Sequence, residues 1–441
     1  MSSYVTKKTP GNTDWFVHDR FGMFIHWGLY AMPARHEWVK MREKMTTEQY
    51  SKYFKYFDPD MYDPKEWARL AKAAGMKYAV MTTRHHEGFS MFDTKFSDYK
   101  CTNTPAGRDL IREYVDAFRA EGLKIGFYYS LLDWYHEDYT LDRNHPQRDI
   151  PDGDAFNEGR DMHRYAQFMR NQVTELLTNY GKIDILWFDY AYGDLRGEAW
   201  KATELVRMVR RHQPHVIIDN RLETSGEGFG SAVEAEPAEF CGDFVSPEQI
   251  IPPEGIRNVF GDPVPWELCT TMNNNWGYNP SDLLYKPASM LIRKLVECVS
   301  KGGNMILNIG PDATGRVDKK SWEILDGITE WMSRNSASVI GCDNANRPKP
   351  EWGWYTQNGN KLYAHVLEAP IGPLALTGIS KAEIARIRRL ADGAEVTRGE
   401  SWITASYAHI PFISFGDLAH FSYPLPDPVD TVLEITLKEK E

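Results

Sequence analysis

Apolar residues in this chain gather in short runs that end abruptly in polar side chains, and the sharpest is KIDILWFDY, Lys182 to Tyr190. Counting in twos along an extended strand puts Ile183, Ile185, Trp187 and Asp189 on one face, with Asp184, Leu186 and Phe188 on the other. A carboxylate thus shares a buried face with a tryptophan, and its desolvation demands a partner. The junctions AAGMKYAV, AEGLKIGF and NYGKIDIL repeat one order of helix end, glycine stop, basic residue and apolar strand. That order is the mark of right-handed βα units in parallel. Asp63 as N-cap, Pro64 in the first turn and Glu66 beside the positive end of the helix dipole start one helix, carried on by Trp67, Leu70, Ala71 and Ala74 at helical spacing and stopped by Gly75.

Further helices are predicted over 46–57, 108–121, 161–179, 197–212, 286–300 and 319–333. Strands are predicted at 21–28, 77–86, 124–130, 182–190, 215–221, 243–248, 266–272 and 304–311, the sixth and seventh less regular than the rest. Eight repeats predict a (β/α)8 TIM-like barrel over 1–343, with its site at the C-terminal ends of the strands. An open doubly wound sheet would carry a glycine-rich phosphate fingerprint after an early strand, and the sequence has none. From about Asn344 the texture changes: Pro348, Pro350, Pro370 and Pro373 punctuate short alternating runs, ending in Leu433, Ile435 and Leu437. This predicts a small C-terminal antiparallel β-sandwich over 344–441 with one wet face, in the common role of supporting the barrel.

Composition narrows the partners. At 441 residues the chain can bury a large core, and 13% aromatic content, with 14 Trp and 23 Tyr, suits stacking surfaces for sugars. A net charge of -11 argues against a nucleic-acid backbone or an anionic membrane as the main partner and leaves a neutral small molecule. The five cysteines are odd in number, without CxxC, and the N-terminal MSSYVTKKTPGNTDWF lacks the apolar core of a signal peptide. No apolar run has the length of a membrane span, so a soluble cytoplasmic protein is expected unless a leader has been removed; a homo-oligomer is left open.

The strand ends collect His26, Trp27, His85, His86, Tyr128, Trp187, Asp189, Arg221, Glu248, Glu267 and Trp276. His85 and His86 are adjacent, so a regular strand sends them to opposite sides, and neither HxH nor HExxH accompanies them. Hydrogen bonding to hydroxyls suits them better than a metal, and no cofactor is expected. Cleavage of a glycosidic bond needs one carboxylate to attack and one carboxylic acid to protonate the leaving oxygen, about 5 to 5.5 Å apart in a retaining enzyme. Asp189 suits the first role, on a rigid strand among donors that keep it ionised. Glu248 suits the second, its pKa lifted by the neighbouring Asp189 charge; Glu267 competes, although it could equally anchor the barrel by pairing with a buried Arg. Spacing alone divides these two evenly.

FGMFIHWGLYAMP, HEW, TTRHHEGFSMFDTKFSDY, GRDLI, IGFYYSLLDW, LWFDY and NWGYNP, in this order over about residues 14 to 335, resemble the motif series of the α-L-fucosidases of glycoside hydrolase family 29. The resemblance implies a metal-free retaining exo-α-L-fucosidase acting on fucosides or oligosaccharides through a covalent fucosyl-enzyme. It implies Asp189 as nucleophile, tips the acid/base towards Glu248 over Glu267, and carries sugar contacts to His26, Glu37, Trp38, His85, His86, Tyr128, Trp187, Arg221 and Trp276. An aromatic wall of Trp187 and Trp276 would cover the sugar's apolar part. One departure stands out: the family often has a small residue after the nucleophile, and here Tyr190 is bulky. Two rival readings are a fucose-binding protein of this fold without catalysis and a metal-dependent hydrolase built on the His cluster.

Overall fold

The computed structural model describes residues 10–225, 228–399, 402–416 and 422–439. Seven parallel strands form the central sheet: β1 (Phe21–Ile25), β2 (Tyr78–Arg84), β3 (Lys124–Ser130), β4 (Ile185–Asp189), β5 (Ile217–Ile218), β6 (Glu267–Thr271) and β7 (Asn304–Ile309). Their order is β5-β4-β3-β2-β1-β7-β6, so the chain winds one way and the sheet curls. The predicted strand at 243–248 is present as an eighth stave without a ladder. Bridges Asp219↔Phe244, Val245↔Trp266 and Glu248↔Cys269 join β5 to β6 through it and close the ring.

The cause of that irregularity lies in two carboxylates. Asp219 Oδ1 accepts Phe188 N–H at 3.0 Å and Asp243 Oδ2 accepts Ile218 N–H at 2.8 Å, so side chains take up backbone donors that a regular ladder would use. β5 therefore stops at Ile218, and Asn220–Leu222 turn into a 3-10 helix where the sequence predicts continued strand. At Gly242 a Cβ would lie 2.3 Å from the Asp219 carbonyl oxygen, which fixes glycine at this close approach.

The helices follow the predicted grammar. Asp63 accepts from Lys65 and Glu66 N–H at the start of Pro64–Ala73, and Asp109 and Asp161 cap Leu110–Ala120 and Met162–Asn179 in the same way. Gly75 closes the first of these at φ +82°, and Gly122 and Gly181 repeat the device. Inside the ring, Phe24, Val80, Tyr128, Ile185 and Trp187 form one apolar cluster, whereas Leu186 and Phe188 pack outward under the helices. The alternation thus holds over Ile185–Asp189, whereas Ile183, expected on the inner face, precedes the strand and joins the outer core. Phe16, on the helix Asp14–Asp19, plugs the N-terminal end of the ring against Tyr78 and Phe244.

The antiparallel part begins with β8 (Asp343–Asn344) and continues with β9 (Gly353–Asn358), β10 (Lys361–Val366), β11 (Leu374–Ala375), β12 (Ile384–Arg389), β13 (Thr397–Arg398), β14 (Phe412–Ser414) and β15 (Thr431–Leu437). A five-stranded sheet, β12-β15-β10-β9-β8, faces a three-stranded one, β11-β14-β13. Leu362, Ala364, Leu433 and Ile435 pack against Leu374 and Ile413 between them. The expected wet face is only partial behind β10 and β15: Tyr363 and Val432 join the barrel's own core, while Lys361, Arg388 and Glu434 form a polar cluster on the same side. There the fully buried His365 and Asp430 pair at 2.7 Å, and Trp331 on the last barrel helix donates to the Asp430 carbonyl. That sheet is thus covered on its second side at the His365 end only.

Candidate active site

At the C-terminal end of the barrel a pocket is lined by Phe24, His26, Trp38, His85, His86, Tyr128, Trp187, Asp189, Tyr190, Arg221, Glu248 and Trp276. Strand parity explains most of it. Tyr128 pairs with Trp187 and Ser130 with Asp189 across β3 and β4, so all four face inward. The two histidines reach the same pocket because the register slips between Thr82 and Arg84 and the strand ends before them; their rings lie 4.0 Å apart instead of on opposite faces.

Arg221 organises the charge. Its Nη1 donates to Asp189 Oδ1 and to Glu248 Oε2, each at 2.9 Å, which limits the separation of those two oxygens to about 5.8 Å. Nε and Nη2 hold Ser246 Oγ and its carbonyl at 3.0 and 3.1 Å, and the guanidinium lies 4.4 Å from the Trp187 ring centroid. Tyr128 Oη donates to Asp189 Oδ2 at 2.7 Å. Even with these donors, burial outweighs them and lifts the Asp189 carboxyl above the ordinary range, with Glu248 adding to the lift and Arg221 and Tyr128 opposing it. The lift therefore falls on Asp189, the carboxyl that the sequence reading expected its donors to hold ionised.

Burial also pushes His26 and His86 well below the usual imidazole range, so both rings are neutral near pH 7. His26 Nδ1 meets Asn308 Oδ1 at 2.7 Å while Asn308 donates to the Trp276 carbonyl, which makes His26 Nδ1 the protonated nitrogen and Nε2 an acceptor. His86 Nδ1 lies 2.6 Å from Ser130 Oγ, itself a donor to the Leu132 carbonyl, so the same assignment follows and Nε2 lies 3.9 Å from Asp189. Two acceptors therefore face the site, suited to sugar hydroxyls. Among the described residues, no three His, Cys, Asp or Glu side chains form a group that could hold a metal ion.

Three predicted residues stand elsewhere. Glu267 is the first residue of β6, at the plugged end of the ring, where it accepts from Tyr78 Oη; its partner is a tyrosine, not an arginine, and burial lifts its pKa to about 8. Glu37 sits behind the lining, accepting Gly277 N–H at 2.9 Å, with His36 Nε2 3.3 Å away. Trp27 packs outward against Trp67 and donates to the Asp312 carbonyl.

The protein-family model described as alpha-L-fucosidase matches residues 3–337. The chain belongs to the α-L-fucosidase family. Among similar proteins, human tissue alpha-L-fucosidase is 28% identical over 386 residues, 81% of this chain and 76% of its own length. The solved alpha-L-fucosidase isoenzyme 1 of Paenibacillus thiaminolyticus is 54% identical with a TM-score of 0.92, covering 97% of this chain and 99% of its own. A family 29 alpha-L-fucosidase of Bacteroides thetaiotaomicron, solved as a trapped covalent intermediate, is 27% identical with a TM-score of 0.81 over 99% of both chains. The protein is accordingly a glycoside hydrolase with this family's TIM-like domain and C-terminal β domain.

Tyr190 departs from the family pattern and also runs against its own backbone. It adopts φ +86°, a left-handed conformation that costs a non-glycine residue about 1 kcal/mol or more. Ser225 Oγ accepts from both Tyr190 and Ala191 N–H at 3.0 Å and locks the turn. Of the lining, sequence reasoning assigned no role to Phe24 or Tyr190. Phe24 was within reach of strand parity, two residues before His26 on β1.

Proposed function

We propose that this chain is a retaining exo-α-L-fucosidase with Asp189 as nucleophile and Glu248 as acid/base. The observation that carries the reading is the pair of carboxylates held on one arginine nitrogen, within about 5.8 Å. This separation suits double displacement, for which about 5 to 5.5 Å is typical, and is shorter than an inverting enzyme needs to seat water between its acids. In the first step an Asp189 oxygen bonds to the anomeric carbon as the bond to the leaving oxygen breaks and Glu248 protonates that oxygen. In the second, Glu248 takes a proton from water, the water oxygen bonds to the same carbon, and Asp189 leaves as carboxylate. The covalent intermediate trapped in the Bacteroides relative supports the first of these steps.

A single terminal sugar fits the blind end, where Phe24, Tyr128 and Trp187 close the floor. The neutral His26 and His86 offer acceptors to hydroxyl groups, and Trp187 and Trp276 offer apolar surface to the methyl-bearing side. The test is Asp189→Gly. Turnover of an aryl α-L-fucoside should vanish and return in part with azide, giving β-fucosyl azide; undiminished activity would overturn the assignment. Glu248→Ala should lose far more rate on poor leaving groups than on activated aryl fucosides.

A further inference from the structure

Tyr190 keeps a bulky side chain where its own backbone favours glycine, so its ring must be held by what it touches. The ring centroid lies 5.0 Å from Trp38, 5.3 Å from His86 and 5.1 Å from Tyr192, each at a steep or tilted angle. Tyr192 is buried and braces the ring from behind, while Tyr190 and Trp38 are only partly buried. The pocket's floor is sealed, so whatever is joined to the bound sugar must leave past the open end. That end carries Glu248, whose side chain is 37% exposed, together with these two partly buried rings.

On the reading that Glu248 protonates the leaving oxygen, we propose that Tyr190, with the edge of Trp38, is a specificity-determining platform that stacks the apolar face of the first sugar of the leaving group. Aromatic faces bind the C–H side of a pyranose and leave its hydroxyls to water. The ring stands one residue from the nucleophile, on a backbone held by Ser225 and wedged between Trp38, His86 and Tyr192. It therefore selects by the group to which fucose is joined, not by fucose itself.

The experiment compares kcat/KM on a fucosyl disaccharide with that on α-L-fucosyl fluoride, whose leaving group has no surface to stack. Tyr190→Gly suits the backbone, and Tyr190→Asn, which tolerates positive φ, serves as a second ringless variant. In both, the disaccharide-to-fluoride ratio should fall about tenfold, the scale of one lost aromatic stacking contact, while Tyr190→Phe keeps the native ratio. An unchanged ratio, or equal losses on both substrates, would overturn the platform and leave Tyr190 as a prop for Trp38 and His86. A wild-type protein that releases fucose from neither substrate would overturn the fucosidase reading itself.

Discussion

Replacing Glu267 by Gln separates the two glutamates by their thermodynamics. In the fold, burial raises the Glu267 carboxyl from 4.5 to about 8, so the protonated form is the one the barrel accommodates. An acid raised in this way binds more protons folded than unfolded, so its stability contribution is fully present at low pH and is lost as pH rises from the unfolded value through the folded one. Gln mimics the neutral acid and removes that loss. Linkage puts the advantage of Glu267→Gln at roughly 1 kcal/mol at pH 5, roughly 3 at pH 7 and roughly 4 at pH 8. Denaturant melts of both proteins across this range should show the gap opening with pH, with kcat on fucosides near the native value. A gap independent of pH, or a variant that loses turnover chiefly on poor leaving groups, would refute the reasoning and return Glu267 to the acid/base role.

Removing the Tyr128 hydroxyl with Tyr128→Phe deletes a hydrogen bond that favours ionised Asp189, so the acid limb of kcat/KM should move to higher pH; a limb that stays or moves down counts against it. Asp133→Ala strips the buried Arg84 guanidinium of its carboxylate and should cost about 3 to 5 kcal/mol in denaturant melts. A loss within about 0.5 kcal/mol, the range of an ordinary surface substitution, would contradict that buried pairing.

The chain's own alternation placed Asp189, because β4 is regular and a period of two leaves no freedom once Trp187 points inward. Glycine stops and aspartate caps were equally local and equally readable. Distinguishing Glu248 from Glu267 needed strand polarity: Asp189 ends β4 whereas Glu267 begins β6, so they stand at opposite ends of one ring. The boundaries of 266–272 already implied this for anyone weighting position along the strand. The convergence of His85 and His86 rests on a register slip that no pattern announces. Likewise Glu37 sits in a charged, aromatic loop that reads as accessible, and only the docking of Gly277 N–H shows it spoken for. Part of the wet face expected of the terminal strand was lost to tertiary packing, since Val432 and Tyr363 find the barrel beside them.

The incomplete stave between β5 and β6 has a meaning for turnover. A nucleophile must hold still while a bond forms to it, and Asp189 rides a strand laced to its neighbour through five consecutive residue pairs. The proposed acid/base, Glu248, sits instead on the irregular stave, joined to Cys269 through the backbone of Pro247 and Gln249 at an isolated bridge. The regular and the irregular staves of one cylinder thus carry the two proposed roles.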